Sequence, residues 1–211
     1  MLSSTRMLIN GNGRLVLGFR LKLSGRHLKN WASPIKKTLH HPKADEDARR
    51  TFQEKIHGYK QQGKTLIYLD ESGFAHDMPR THGYCARGRR CIGIKDWQAK
   101  GRTNVIGALL GSVLMAVGLF SCSINSDIFY AWVIQLLLPA LPPHCVIVMD
   151  NASFHKRQDI QQAMSKAGHL LEYLPPYSPD LNPIEHKWAQ AKSKRRTLQC
   201  SIDTLFSDHS M

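Results

Sequence analysis

The sequence has little negative charge. It contains 16 Asp and Glu residues against 29 Lys and Arg residues, which gives a formal net charge of +13 and a pI near 9.8. Such an imbalance indicates a polyanionic partner. Because no amphipathic anchor or lipidation motif is visible, nucleic acid is favoured over a membrane surface as that partner.

Closely spaced cysteine pairs are also missing. The five cysteines lie at positions 85, 91, 122, 145 and 200, and none of them forms a C-x-x-C motif. Scattered thiols favour a reduced protein of the cytoplasm over a disulfide framework or a zinc site. A signal peptide with the usual cleavage site is likewise not visible.

No hydrophobic run is long enough for a comfortable bilayer crossing. The charge-free stretch 105–120 covers sixteen residues and is interrupted by Gly107, Gly111 and Gly118. A β-hairpin that turns near Gly111 and Ser112 explains this stretch better. The hydrophobic content of 42% is ordinary, and 211 residues can bury one good core with a small appendage.

The first 43 residues contain no Asp or Glu but nine Lys and Arg. They are rich in Gly, Ser and Asn, and their apolar residues show no sustained period. Three interpretations fit this composition: a nucleic-acid-binding arm, an organellar transit peptide, or a stretch that is not native to the fold. We therefore separate residues 1–43, a basic remnant or linker expected to be poorly ordered, from residues 44–211.

Periodic patterns begin after residue 43. Apolar residues at spacings of three and four predict an amphipathic helix from Asp45 to Gln61. The other elements follow from short apolar runs and from further helical patterns: strands at 65–69, 103–110, 113–121, 145–149 and 169–174, and helices at 126–138, 156–166 and from 183 onward. This order predicts an α/β fold in which an antiparallel hairpin is extended by parallel strands.

Two of the predicted strands end in an aspartate. The run 66–69 leads to Asp70, and the run 146–149 leads to Asp150. Glu71 points to the opposite face of its strand by the two-residue period, so we do not count it as a ligand.

A third carboxylate, Glu185, follows a proline-rich segment. Asn182 is predicted to be a helix N-cap and Pro183 the first helical residue, where a missing N–H has no consequence. Glu185 then occupies the third helical position. It either closes a capping box on Asn182 or serves as a metal ligand at the helix start.

The two aspartates and the glutamate together resemble the site of the DDE transposases, which have an RNase H-like fold. More narrowly, Asp150-Asn151 with His155, followed by Tyr177-Ser-Pro-Asp-Leu-Asn-Pro-Ile-Glu-His-Lys-Trp188, resembles the mariner-related bacterial transposases of the insertion sequence 630 family. The resemblance covers roughly residue 36 to the C-terminus. It implies a five-stranded mixed sheet flanked by helices, with the DDE catalytic domain in residues 44–211.

The resemblance also implies the ligands of a metal pair. Asp70, Asp150 and Glu185 are predicted to hold two Mg²⁺ or Mn²⁺ ions, with Asp70 bridging them. Hard ions of this kind prefer oxygen ligands, and a pair of them can activate an attacking oxygen and stabilise a departing one. Asp180 is the rival third carboxylate, but it lies in the proline-rich loop and is interpreted as a turn residue.

Other residues are assigned supporting roles. Asn151 is predicted to orient Asp150 or a water, and His155 to touch a phosphate or carry protons, although a lone histidine is often structural. Trp188 is interpreted as core packing rather than base stacking. A basic loop after the first strand and the last helix are predicted to contact DNA phosphates, unless they are merely solvated: Arg87, Arg89, Arg90, Lys187, Lys192, Lys194, Arg195 and Arg196.

These observations predict a transposase that cleaves DNA at transposon ends and transfers the freed 3′-OH to target DNA. The resemblance implies terminal inverted repeats as substrate, TA target sites, a homodimer and a cytoplasmic, nucleoid-associated location. Members of that family carry helix-turn-helix modules before the catalytic domain, so we expect the N-terminus to be truncated or remodelled. The alternatives are an RNase H-like nuclease or resolvase, and an inactive remnant that binds DNA non-specifically.

Overall fold

The computed structural model describes residues 42–77, 84–93, 98 and 100–207, together with residues 8–9 and 15–16. The chain divides into two compact units, residues 1–39 and 40–211. In the first unit, strand β1 (Leu8–Ile9) pairs antiparallel with strand β2 (Leu15–Val16). The prediction made for residues 1–43 otherwise lies almost wholly outside the described residues.

The second unit is built on a five-stranded mixed sheet. Its strands lie in the order β5-β4-β3-β6-β7. Strands β3, β4 and β5 are antiparallel neighbours, and β6 and β7 extend the sheet in parallel. The bounds are β3 Leu66–Ala75, β4 Arg102–Leu110, β5 Val113–Phe120, β6 Val146–Met149 and β7 Leu170–Tyr173. The predicted hairpin with parallel additions is confirmed.

Helices cover the sheet on both faces. They are α1 (Glu46–Gln61), α2 (Ser126–Trp132), which runs through a π-helical turn at Val133–Leu137 into α3 (Leu138–Ala140), α4 (Gln158–Lys166), α5 (Ile184–Leu198) and α6 (Ile202–Ser207). Short 3₁₀ turns lie at Ser153–Lys156 and Pro179–Leu181. Among the described residues no helix is long and apolar enough to span a membrane.

The alternation of side chains along the strands assigns each face to its own helices. Ile67 and Leu69 on β3 pack in a buried cluster with residues of α2, the π-helical turn and α4. Phe74 faces the other way and packs with α5 and α6, while Val148 of β6 packs with α1. The core therefore lies in two layers, and the even-numbered positions of β3 and β6 face α5 and α1.

The end of the first strand differs from the prediction. The first strand does not end at Leu69 but continues to Ala75, because β4 pairs with it as far as Arg102. Asp70 therefore lies in the middle of β3. Helix α2 is capped by Asn125, whose side chain accepts a hydrogen bond from the Ile128 N–H at 2.9 Å.

Candidate active site

The parallel pairing of β3 with β6 brings two aspartates together. The register pairs Tyr68 with Val148, and two further residues along each strand are Asp70 and Asp150. Asp70 shares the face of Tyr68, and Asp150 continues the face of Val148. Asp70 thus lies within β3, and Asp150 directly follows the neighbouring strand β6.

Glu185 lies in the first turn of α5, and its side chain comes to the two aspartates from the helix that packs on their face of the sheet. It is exposed, and it lines one open cleft with Asp70 and Asp150. The helix begins at Ile184, one residue later than predicted. The arrangement gathers three acidic side chains from two strands and one helix.

The capping-box interpretation of Glu185 is wrong. The N–H that such a glutamate would accept, that of Asn182, donates instead to the Pro179 carbonyl at 2.9 Å. The Asn182 side chain does not cap the helix either, because its amide donates to the Leu69 carbonyl at 3.2 Å. Asn182 thus fastens the start of α5 to β3, next to Asp70.

Asp180 has a structural contact of its own. Both of its carboxylate oxygens accept hydrogen bonds from the Arg49 guanidinium of α1, at 2.9 and 2.7 Å. Arg49 is only 4% exposed, so the pair anchors the proline-rich loop to a distant helix. This contact agrees with the interpretation of Asp180 as a residue that shapes the loop.

Asp70 is the most perturbed carboxyl group of the cleft. Its burial, followed by the nearby charges of Glu185, Glu71 and Asp150, raises the pKa of Asp70 to about 8. One oxygen, Oδ2, accepts a hydrogen bond from the Trp188 indole N–H at 3.0 Å. The interpretation of Trp188 as a core residue is confirmed, since it is 1% exposed, but no local pattern predicted this hydrogen bond.

Asp150 is held by a buried histidine. His155 Nδ1 lies 2.6 Å from Asp150 Oδ1, and its Nε2 lies 2.8 Å from Glu71 Oε1. Burial opposes ionisation of Asp150, but the hydrogen bonds from His155 and from the Ala152 N–H outweigh it and lower the Asp150 pKa. Burial also disfavours the charged imidazole, yet the two carboxylates raise the pKa of His155 to about 9.

These contacts favour the structural interpretation of His155 over direct contact with a phosphate. It is 1% exposed and both ring nitrogens are engaged, so it orients Asp150 and does not touch a substrate phosphate. Glu71 does point away from Asp70, as predicted, but it takes part in the site through His155. Nothing in the local sequence pattern links Glu71 to a residue 84 positions later.

The rest of the cleft wall combines prolines and other apolar residues with a few polar side chains. Asn151 is exposed and lines the cleft. Asn182 also lines it, and among the described residues no donor reaches its buried Oδ1 atom. Within the same part of the chain, no three His, Cys, Asp or Glu side chains are spaced to hold a metal ion as they stand. The assignment of Asp70, Asp150 and Glu185 as metal ligands stays a prediction.

The residues predicted to contact DNA do not form one uniform group. Arg87, Arg89, Arg90 and Arg196 are exposed, while Lys187, Lys192 and Lys194 are half-buried, and Lys192 lies over the Phe74 ring at 5.4 Å.

The structure corrects the assignment of Arg195. It is 8% exposed, and its guanidinium donates to the backbone carbonyls of Ala75, His76 and Cys200. Arg195 therefore joins α5 to the end of β3 and is not available to a phosphate.

The mixed sheet with helices on both faces defines the class of this protein as RNase H-like. Solved structures support this fold: the catalytic domain of Mos1 mariner transposase matches at a TM-score of 0.55 and 15% identity, with 81% of this chain and 85% of that chain covered. The sequence profile of the DDE superfamily endonucleases matches residues 65–205. The chain belongs to this family.

Two further structures are similar to this chain. The Mos1 transposase paired-end complex with left transposon end matches at a TM-score of 0.61 and 17% identity, covering 81% of this chain and 55% of that chain. The mariner Mos1 paired end complex with Mg matches at 0.61 and 16% identity, covering 83% and 59%. This chain therefore spans somewhat more than half of those transposase chains. A search of curated proteins found no match.

Proposed function

We propose that residues 44–211 form the catalytic domain of a transposase of the mariner-related insertion-sequence type, similar to the insertion sequence 630 family. In this proposal the chain cleaves DNA at the terminal inverted repeats of a transposon and joins the freed 3′-OH to target DNA. The observation that carries it is the single cleft lined by Asp70, Asp150 and Glu185 in a chain of the DDE endonuclease family.

The cleft suits a divalent cation. Three acidic side chains line it, and their mutual repulsion contributes to the raised pKa of Asp70. A bound cation would offset this repulsion between the carboxylates. The buried Oδ1 atom of Asn182, which no donor reaches among the described residues, adds a further oxygen acceptor to the cleft. Asp70, Asp150 and Glu185 would hold two Mg²⁺ or Mn²⁺ ions, which, when bound, activate the attacking oxygen and stabilise the departing one.

The chain's own residues position this chemistry. The strand and helix backbones fix the Cα positions of the three acidic residues. The hydrogen bond with His155 fixes the rotation of the Asp150 carboxylate. The bond from the Asn182 N–H to the Pro179 carbonyl closes the turn before α5. The Asn182 side chain ties that turn, and with it the start of the Glu185 helix, to the Leu69 carbonyl of β3.

DNA is the proposed partner of the basic surface. The net charge of +13 attracts the phosphate backbone, and Arg87, Arg89, Arg90 and Arg196 are exposed to reach it. Lys187, Lys192 and Lys194 would present their ammonium groups from half-buried stems. The transposition reaction acts on two transposon ends, and a homodimer would supply one catalytic domain for each.

The decisive experiment is a nicking assay on supercoiled plasmid DNA. Asp70→Ala, Asp150→Ala and Glu185→Ala should each abolish nicking that depends on Mg²⁺ or Mn²⁺, while Glu54→Ala, which changes an exposed carboxylate of α1, should leave it intact. Circular dichroism should show that the inactive variants remain folded.

Two outcomes would contradict the proposal. Wild-type activity in Glu185→Ala together with its loss in Asp180→Ala would transfer the third role to Asp180. Nicking by the wild type without any joining of a pre-cleaved transposon end to target DNA would favour a nuclease over a transposase.

A further inference from the structure

We propose that Trp188 is a positioning residue for Asp70, and that Gly107 is the part of the sheet that makes this possible. The inference rests on the proposed function, in which Asp70 is a metal ligand. It adds a residue of the core, on the inner side of α5, to the machinery that orients the carboxylates.

The hydrogen bond itself is the first observation. The Trp188 indole N–H donates to Asp70 Oδ2 at 3.0 Å, and an indole has no other polar atom to offer. Because a carboxyl group can rotate about its Cβ–Cγ bond, one fixed donor on one oxygen selects a single rotation. Asp70 lines the cleft, so this rotation decides how its carboxylate faces an incoming ion.

The indole is held rigidly enough to do this. Trp188 is 1% exposed and makes edge contacts with the rings of Phe74 and Phe206, at centroid distances of 6.3 and 6.4 Å. It lies one helical turn after Ile184, which is also fully buried. The same inner face of α5 therefore anchors the helix and delivers the N–H.

Gly107 explains how so large a ring comes this close to the strand. It is the residue paired with Asp70 across β3 and β4. A Cβ atom at Gly107 would lie 3.3 Å from Trp188 Cζ2, a tight contact, and 2.8 Å from Cη2, which is closer than real side chains allow. Its φ angle does not fall in the left-handed region, so space and not backbone conformation is what the glycine provides.

The neighbouring strand is irregular at the same level, since the register between β4 and β5 shifts between Ile106 and Ala108. The indole fills the space that Gly107 leaves open, and from there its N–H donates to Asp70.

The chain offers matched controls on the other face of the sheet. Trp132 is 2% exposed, and its indole N–H donates to the Ala116 carbonyl at 2.7 Å, away from the cleft. A Cβ atom at Gly118 would lie 2.9 Å from the Phe120 ring and 3.0 Å from Trp132 Cδ1. Trp132→Phe and Gly118→Ala therefore repeat the same chemical changes at comparable packing, without touching Asp70.

The first readout is the Mg²⁺ concentration that gives half-maximal nicking. Trp188→Phe removes the donor and keeps most of the ring, and Gly107→Ala displaces the ring and keeps the donor. Each should raise this concentration about 10-fold or more, as is typical when a residue behind a metal ligand is lost. The controls should stay within about twofold. Equal effects of Trp188→Phe and Trp132→Phe would mean that only packing is involved, and the proposal would fail.

The second readout does not depend on activity. In ¹H–¹⁵N spectra of the full chain, which has four tryptophans, the Trp188 indole signal is the one lost in Trp188→Phe or displaced in Gly107→Ala. Adding Mg²⁺ should shift this signal but not that of Trp132, and Asp70→Asn should abolish the shift. An unchanged Trp188 signal at saturating Mg²⁺ would overturn the proposal. A shifted signal in a protein that does not nick DNA would retain it and instead reject the transposase function.

Discussion

Replacing His155 by Gln removes the imidazole that lies between Asp150 and Glu71, and it should change how stability depends on pH. The two carboxylates raise the pKa of His155 from 6.5 to about 9 in the folded protein, although its burial acts in the opposite direction. At about 1.4 kcal/mol per pH unit, this difference corresponds to a stabilisation of about 3 kcal/mol.

The sign follows from the raised pKa. Below pH 6.5 histidine is protonated in both the folded and the unfolded chain, so the full stabilisation is present. Between pH 6.5 and about 9 only the folded chain keeps the proton, and the stabilisation falls until it is lost. The stability advantage of the wild type over His155→Gln should therefore be largest near pH 6 and about 3 kcal/mol smaller near pH 9.5.

Urea unfolding followed by circular dichroism, at half-unit steps from pH 6 to 9.5, measures this difference directly. Glu71→Gln leaves one of the two carboxylate partners in place, so its stability difference from the wild type should decline less over the same range. A difference between the wild type and His155→Gln that stays constant with pH would refute the charged bridge between Asp150 and Glu71.

Three further predictions concern other charged residues of the domain. Asp70→Asn should become progressively more stable than the wild type from pH 4 to 8, measured by thermal melting, because the folded wild type holds its carboxyl proton to about pH 8 whereas the unfolded chain loses it near 3.8. Arg90→Ala should reduce the slope of log K against log salt for duplex DNA by about 1, whereas Arg195→Ala should destabilise the fold and leave the slope unchanged. Asp180→Ala should lower the free energy of unfolding by about 1–3 kcal/mol, because Arg49 loses its bidentate partner, yet retain nicking below the melting temperature.

The sheet and the positions of the three carboxylates could be predicted because they depend on local patterns. Apolar runs that end at Asp70 and Asp150 are visible in the sequence, and the proline before α5 indicates where the helix with Glu185 begins. Strand alternation was sufficient to place Glu71 on the far face.

The contacts around the carboxylates could not be predicted because they join distant parts of the chain. His155 meets Glu71 across 84 positions, and Trp188 meets Asp70 across 118. Arg195 shows the opposite error: it stands in a basic run on a helix, but it lies on the buried side, where backbone carbonyls at the end of β3 satisfy it. Charge composition alone does not distinguish a surface arginine from one that ties two elements together.

The pairing of Arg49 with Asp180 bears on how the domain should be produced as a fragment. The family match begins at residue 65, but the loop that leads into α5 is fastened to a helix that starts at Glu46. A fragment cut at the edge of the family match would lose α1 and expose the apolar surface around Val148 and Leu174 that this helix covers. Expression boundaries should therefore begin before Asp45, whose side chain caps α1.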